Sequence, residues 1–315
     1  MKIVIIGGTG HIGTYLIPRL IKDGHEVVCV SRQQSSPYNQ DPAWESVNFI
    51  SIDRTESERQ GTFGNQIAEL EGEIVIDLIC FTLESAQMLA GALKDKVEQL
   101  IHCGTMWVHG YSEQVPTTEN QPRKPFGDYG IKKAQIESYL LELYQQENLP
   151  VTILHPGHIT GPGWLPINPE GHLDPQVFYK LAKGEPISLP NIGMETVHHV
   201  HADDVAQAFQ KAIGNKRSLG ESFHVVSEQA LTLRGYAEAL AAWFGIKPQI
   251  SFLPWEEWKK GVSDKDAELT WDHIAHSPNG SIEKAKRILK YSPQYSSLEA
   301  IQESVKHYFA KEGLH

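Results

Sequence analysis

Cysteine is scarce: Cys29, Cys80 and Cys103 are the only three in 315 residues. Their number is odd, no Cys-x-x-Cys occurs, and each lies in or beside an apolar, strand-like run. A disulfide framework is therefore set aside in favour of buried reduced thiols. No run of eighteen or so apolar residues occurs, so no membrane-spanning helix is expected. Basic charge is in deficit: 28 Lys and Arg against 39 Asp and Glu leave a formal net charge of −11. Binding a nucleic-acid backbone needs concentrated positive charge, so nucleic acid is disfavoured as a partner. The opening "MKIVIIGGTG" reads as strand and loop and has no secretory apolar core of useful length. A cytoplasmic setting is the expectation. Repeats and low-complexity tracts are missing too.

What is present is an alternation. "KIVII", "HEVVCV", "VNFIS", "EIVIDLIC", "QLIHCG" and "VTILHPG" are short apolar runs, and helix-length segments separate most of them. Continuous apolar strands between helices predict an α/β fold with a doubly wound parallel sheet covered on both faces. The texture changes near residue 161. "GPGWLPINPEGHLDPQ" holds three glycines and four prolines in sixteen residues, which is loop chemistry. We expect residues 1–160 to form a nucleotide-binding domain rejoined by about 195–227, and residues 161–315 to be mainly a smaller substrate domain.

The first run ends in "GGTGHIG", with glycines at Gly7, Gly10 and Gly13. Gly7 permits a tight turn, Gly10 lets backbone approach a pyrophosphate, and Gly13 permits close helix–strand packing. The helix N-terminus then offers free N–H groups to the phosphates. Strand before and helix after are the context this pattern requires. The second strand ends in Ser31 and Arg32, where an NAD site usually carries an acid. A guanidinium suits a 2′-phosphate, so NADP is the preferred cofactor and NAD the alternative.

Eight segments in order carry a family resemblance: "GGTGHIG", "ISIDR", "IDLIC", "IHCGTMWVHG", "YGIKK", "HPGHITGPG", "HHVHADDVAQAF" and "SIEKAKRILKYSP". Together the chain resembles the extended short-chain dehydrogenase/reductases, the group that includes the NAD-dependent epimerase/dehydratases of nucleotide sugars. The resemblance implies a Rossmann domain and redox chemistry at a carbinol or carbonyl of a small substrate. That chemistry is either net oxidoreduction or an internal epimerisation or dehydration. It implies Tyr129 as acid/base, Lys133 as its activator and ribose ligand, and Thr105 as the residue that orients the substrate oxygen. Further cofactor contacts are implied at His11, Ile12, Asp53, Leu78, Ile79 and Pro156. A homodimer through the helices near 84–94 and 129–147 is implied as well. The chemistry is intelligible. A free phenol titrates near pH 10, and a neighbouring ammonium plus an oxidised nicotinamide favours phenolate.

The chain departs from the family where a diphosphate would sit. His158 replaces an asparagine, Val197 or His198 an arginine, and His155 the arginine of "RP". Neutral histidines hold a dianion less well than an arginine fork, which puts a nucleotide-sugar substrate in doubt. Trp107, His109, His158 and His199 become the expected substrate residues. His155, His158, His172, His198, His199 and His201 raise the question of a metal, but no cysteine joins them and no metal site is expected. Trp255 and Trp258 are either a helix edge packed on the core or a lid over an apolar substrate. Two rivals share the fold: a cofactor-binding sensor without turnover, and an RNA-binding relative. Retention of both Tyr129 and Lys133 argues for an enzyme.

Overall fold

The computed structural model describes residues 1–32, 37, 38 and 40–313. Its strands are β1 (Lys2–Ile6), β2 (Glu26–Ser31), β3 (Asn48–Ser51), β4 (Ile74–Asp77), β5 (Gln99–Cys103), β6 (Val151–Pro156), β7 (His158–Thr160), β8 (Ile187–Pro190), β9 (Thr196–Val197), β10 (His199–His201), β11 (Glu221–Val225), β12 (Leu231–Thr232) and β13 (Ile250–Leu253). Its helices are α1 (His11–Lys22), α2 (Arg54–Arg59), α3 (Phe63–Ala68), α4 (Leu83–Leu93), α5 (Gly127–Glu147), α6 (Gln176–Lys183), α7 (Ala202–Ala212), α8 (Leu233–Trp243), α9 (Trp255–Trp258), α10 (Asp264–His276), α11 (Glu283–Leu289) and α12 (Ser297–Lys311).

Seven strands form a parallel sheet in the order β11-β6-β5-β4-β1-β2-β3. The order reverses between β1 and β4, and that reversal opens a crevice at the strand carboxyl ends. The central strands are buried on both faces, which is why they read as unbroken apolar runs. One face packs Leu16, Ile17 and Leu20 of α1 with Val205, Ala208 and Phe209 of α7. The other packs Leu89 and Leu93 of α4 with Ile136 and Leu140 of α5. A third core, from Ile167 to Val305, gathers α6, α8 and α12 beside the sheet. The chain returns to the sheet at β11, and Ile282, Ala285 and Leu289 of α11 also join the α1 face. Trp258 is buried and donates its Nε1 hydrogen to the Ser188 carbonyl at 2.7 Å, stacked with Trp255. The tryptophan pair is thus core packing, not a lid.

An ion pair supports the crevice floor. Arg54 Nη1 meets Asp77 Oδ1 at 2.7 Å, and the two side chains are 11% and 2% exposed. Asp77 also accepts the Ile79 N–H at 3.2 Å, which shapes the turn after β4. Burial pushes the Asp77 carboxyl up, but the Arg54 guanidinium more than offsets it, and the net shift is downward. A depressed carboxylate contributes stability above its unfolded pKa of about 3.9 and loses it as pH falls through the folded value. Arg54→Met leaves the buried Asp77 without its counter-charge, and is expected to cost about 3–5 kcal/mol. Denaturant unfolding at pH 7 checks this. A loss under about 1 kcal/mol would contradict it.

Candidate active site

The crevice holds a cavity of about 500 Å³. The loop after β1 reaches it with Gly7, Gly10, His11 and Ile12, the end of β4 with Leu78, Ile79 and Phe81, and the end of β5 with Gly104, Thr105 and Trp107. The start of α5 adds Tyr129 and Lys133, and the segment after β6 adds Pro156 and His158. Lys133 is the one charged side chain among its lining residues.

The glycine end fits a dinucleotide. Gly7 has φ +82°, and a Cβ there would meet Ile79 Cγ2 at 2.7 Å. A Cβ on Gly13 would run into the Gly8 carbonyl, so α1 can lie this close to the loop only with glycine there. Helix α1 has Gly10 as its N-cap, no side-chain cap and no acid in its first turn. Its leading N–H groups therefore stay available beside the cavity for an anion.

Lys133 lies on the buried stripe of α5 with Ile136, Glu137 and Leu140, and Tyr129 stands one turn before it at the cavity. Lys133 is 2% exposed and donates to the carbonyls of Cys80 at 2.8 Å and Cys103 at 2.7 Å. It thereby ties α5 to the ends of β4 and β5. Burial pulls the ammonium below its ordinary value. Its Nζ lies 5.9 Å from the centre of the Tyr129 ring. Tyr129 is 42% exposed at the cavity mouth, with its hydroxyl hydrogen-bonded to Thr105. Desolvation first, then the proximity of Cys103, pushes the phenol up to about 12, and a hydrogen bond with Thr105 works the other way. The protein's own groups keep the phenol protonated, with burial the largest cause.

Thr105 caps a 3-10 turn, Met106–His109, by accepting the Trp107 N–H at 3.3 Å. Trp107 stacks on His276 at 4.2 Å and stands edge-on to Tyr129 at 5.9 Å. His158 is half-buried, packed against His273 at 4.4 Å, with its Nε2 unpartnered. His109 and His199, expected at the substrate, do not reach the cavity wall. His109 turns inward, its Nε2 2.9 Å from Nε2 of His224. Each residue of a 3-10 turn advances about 120°, so two positions beyond Trp107 cannot share its direction. His199 is fully buried behind His158 and against Tyr236. Ser31, Arg32 and Asp53 lie outside the cavity lining. Ser31 is buried at the end of β2, Arg32 is exposed, and Asp53 is exposed and caps α2 by accepting the Glu56 N–H at 3.1 Å. His155 is buried too, its Nε2 3.2 Å from Glu137 Oε2.

Helix α10 brings His273 and His276 to the cavity's aromatic wall, and the sequence reading passed over that helix. Ser263 caps it by accepting the Asp266 N–H, and a Ser with an acid three residues on was the available signal.

A model of the NAD dependent epimerase/dehydratase family matches residues 3–78 and 82–226. The chain is 29% identical over 310 residues to a chloroplast stem-loop binding protein of 41 kDa from Arabidopsis thaliana, covering 96% of this chain and 78% of that one. It is 24% identical over 336 residues to a UDP-glucose 4-epimerase of Mycolicibacterium smegmatis, covering 97% of each. The fold superposes on a UDP-glucuronic acid 4-epimerase from Bacillus cereus, solved with UDP-glucuronic acid and NAD, with a TM-score of 0.74. That match has 18% identity and covers 99% of this chain and 100% of the other.

Proposed function

The chain belongs to the NAD-dependent epimerase/dehydratase family, and from that premise we propose that it catalyses hydride transfer at a carbinol or carbonyl carbon of a small, sugar-like substrate that carries no diphosphate. This step is common to the oxidoreductases and the epimerase/dehydratases. The observation that carries the reading is the single cavity onto which the glycine loop, Thr105, Tyr129 and Lys133 all open, with Lys133 its one cationic wall residue. A diphosphate inside it would meet no arginine fork, whereas the aromatic and imidazole wall suits a neutral ring with hydroxyl or carbonyl groups.

The nicotinamide, when bound, supplies the hydride acceptor or donor. Thr105 and Tyr129 orient the substrate oxygen through their hydroxyls. Tyr129 gives a proton to that oxygen on reduction and removes one on oxidation. Lys133 holds the ends of β4 and β5 in register and presents its charge to the ribose. Trp107, Phe81 and Ile79 limit water around the reacting carbon. On this reading residues 1–160 with 195–227 hold the cofactor and 161–315 mainly the substrate. A cytoplasmic setting suits the three buried free cysteines. Dimerisation through α4 and α5 is part of the same proposal, and light scattering tests it.

The reading is tested by purifying the protein natively, identifying the co-purifying nucleotide by mass spectrometry, and assaying sugar aldehydes, ketones and alcohols with and without a nucleoside diphosphate. Turnover of the diphosphate-free substrates supports it. Turnover of nucleotide sugars alone overturns the substrate class.

Arg32 makes no ion pair among the described residues and stands exposed where a 2′-phosphate would be read. NADP is accordingly the preferred cofactor. Arg32→Ala should weaken NADP binding about 10-fold or more while changing NAD binding less than about 3-fold. Equal loss for both cofactors in a fluorescence titration would count against NADP.

A second reading rests on the 29% identity to the stem-loop binding protein. It makes this chain a nucleic-acid binder, against its net charge of −11. A gel-shift titration with stem-loop RNA at two salt concentrations separates the readings. Tight, salt-dependent binding favours this second one.

A further inference from the structure

His155 on β6 and His224 on β11 are register partners in adjacent strands, so their side chains stand side by side. His109, at the end of the turn after β5, closes the group. All three are buried, at 6%, 0% and 0% exposure for His109, His155 and His224, and one ligand nitrogen from each lies within 4.8 Å of the others. We propose that His109, His155 and His224 form a binding site for a divalent transition-metal ion, zinc by its ligand type.

The hydrogen positions carry the argument. Nε2 of His109 and Nε2 of His224 face each other at 2.9 Å. The far sides of those rings lie beside backbone carbonyls, those of Pro122 and Ser281 respectively, yet neither Nδ1 has a well-formed hydrogen bond. If each ring turns an Nδ1 hydrogen toward its carbonyl, two lone pairs confront one another across the 2.9 Å gap. If one ring moves its hydrogen to Nε2, its Nδ1 lone pair confronts a carbonyl oxygen. One neutral imidazole can donate its Nε2 hydrogen to the other at this distance, but both Nδ1 atoms and both nitrogens of His155 then stay without a partner, whereas a cation among the three rings engages one nitrogen of each. A metal-bound imidazole commonly gives its other N–H to a backbone carbonyl or a carboxylate. Glu137 Oε2 stands 3.2 Å from His155 Nε2, near enough to serve as such a carboxylate, although neither atom has a well-formed hydrogen bond.

The surrounding charge favours a cation. Two buried carboxylates meet the cluster: Glu137, and Glu119, whose Oε1 accepts the His224 N–H at 2.9 Å. One guanidinium, Arg123, opposes them and is held by Glu137 Oε1 at 2.6 Å and by Ser222. Tetrahedral zinc places ligand nitrogens roughly 3.4 Å apart, so loading parts the His109 and His224 nitrogens slightly from 2.9 Å and brings His155 to the same spacing. The ion would pin the turn that carries Thr105 and Trp107 to β6 and β11. This inference stands independently of the redox reading.

The test uses the full-length protein stripped with a chelator and then titrated with Zn²⁺ or Co²⁺. We expect about one equivalent bound, visible d–d bands of cobalt in a low-symmetry site, and a Tm rise of roughly 5–10 °C at saturation. His109→Gln and His224→Gln should each lower affinity more than about 100-fold, and His172→Gln should leave it unchanged. Should the stripped parent bind neither ion and its Tm not move, the rings share a proton and the site is not a metal site. That comparison holds even if a histidine variant fails to fold. Binding that survives both substitutions likewise overturns the assignment.

Discussion

Tyr129→Phe will lower kcat/KM by about 10²- to 10⁴-fold, a transition-state loss of roughly 3–5 kcal/mol, while cofactor affinity and Tm stay near those of the parent. The reasoning is local. Tyr129 sits 42% exposed at the cavity mouth, so removing its oxygen opens no void in a core. The hydroxyl stands at the cavity beside Thr105, placed to carry a proton to a substrate oxygen. The pH profile adds a second readout. Desolvation holds the phenol protonated up to about 12. A reduction that draws its proton from the phenol should therefore keep a flat rate from pH 6 to 9. Oxidation, which needs the phenolate, should quicken as pH rises toward the phenol's own value and the bound nicotinamide cation lowers it. Steady-state kinetics in both directions check the pair of expectations. A Phe variant within about 3-fold of the parent would remove Tyr129 from the chemistry and leave a nucleotide-holding fold.

The nucleotide half was largely legible because its signals are local. Strands buried on both faces leave apolar runs, a glycine loop must follow β1, and the i, i+4 pair of α5 falls on one face by helix geometry alone. His109 was misplaced for a reason of the same kind. It was expected at the substrate beside Trp107, but the 3-10 turn rotates it inward. The aromatic wall was hidden. His273 and His276 lie more than a hundred residues from Trp107, on a helix whose apolar stripe is short, and only tertiary packing brings them together. The three-histidine cluster escaped for the same cause. His224 sits in an apolar strand run, and nothing in its neighbourhood says that its register partner is His155.

Lys133→Met should be the more damaging change, because it removes two functions at once. The ammonium is 2% exposed and satisfies the carbonyls of Cys80 and Cys103. Methionine fills a similar volume but donates nothing, so two carbonyl oxygens lose their partner. Each unsatisfied buried acceptor costs about 1–3 kcal/mol, which sets the expected stability loss for the two at roughly 2–6 kcal/mol. Those carbonyls lie at the ends of β4 and β5, which also carry Ile79 and Thr105, so the cavity floor should loosen with them. Activity should fall at least as far as in Tyr129→Phe, and cofactor affinity, untouched there, should fall here by about 10-fold or more. Lys133→Arg separates charge from fit. It keeps the positive charge but brings a planar fork into a pocket shaped around a compact ammonium with two carbonyl acceptors. Activity and nucleotide binding should both stay low. Full recovery with arginine would mean that charge alone matters, and a Met variant as stable as the parent would mean that the two carbonyls find donors without Lys133.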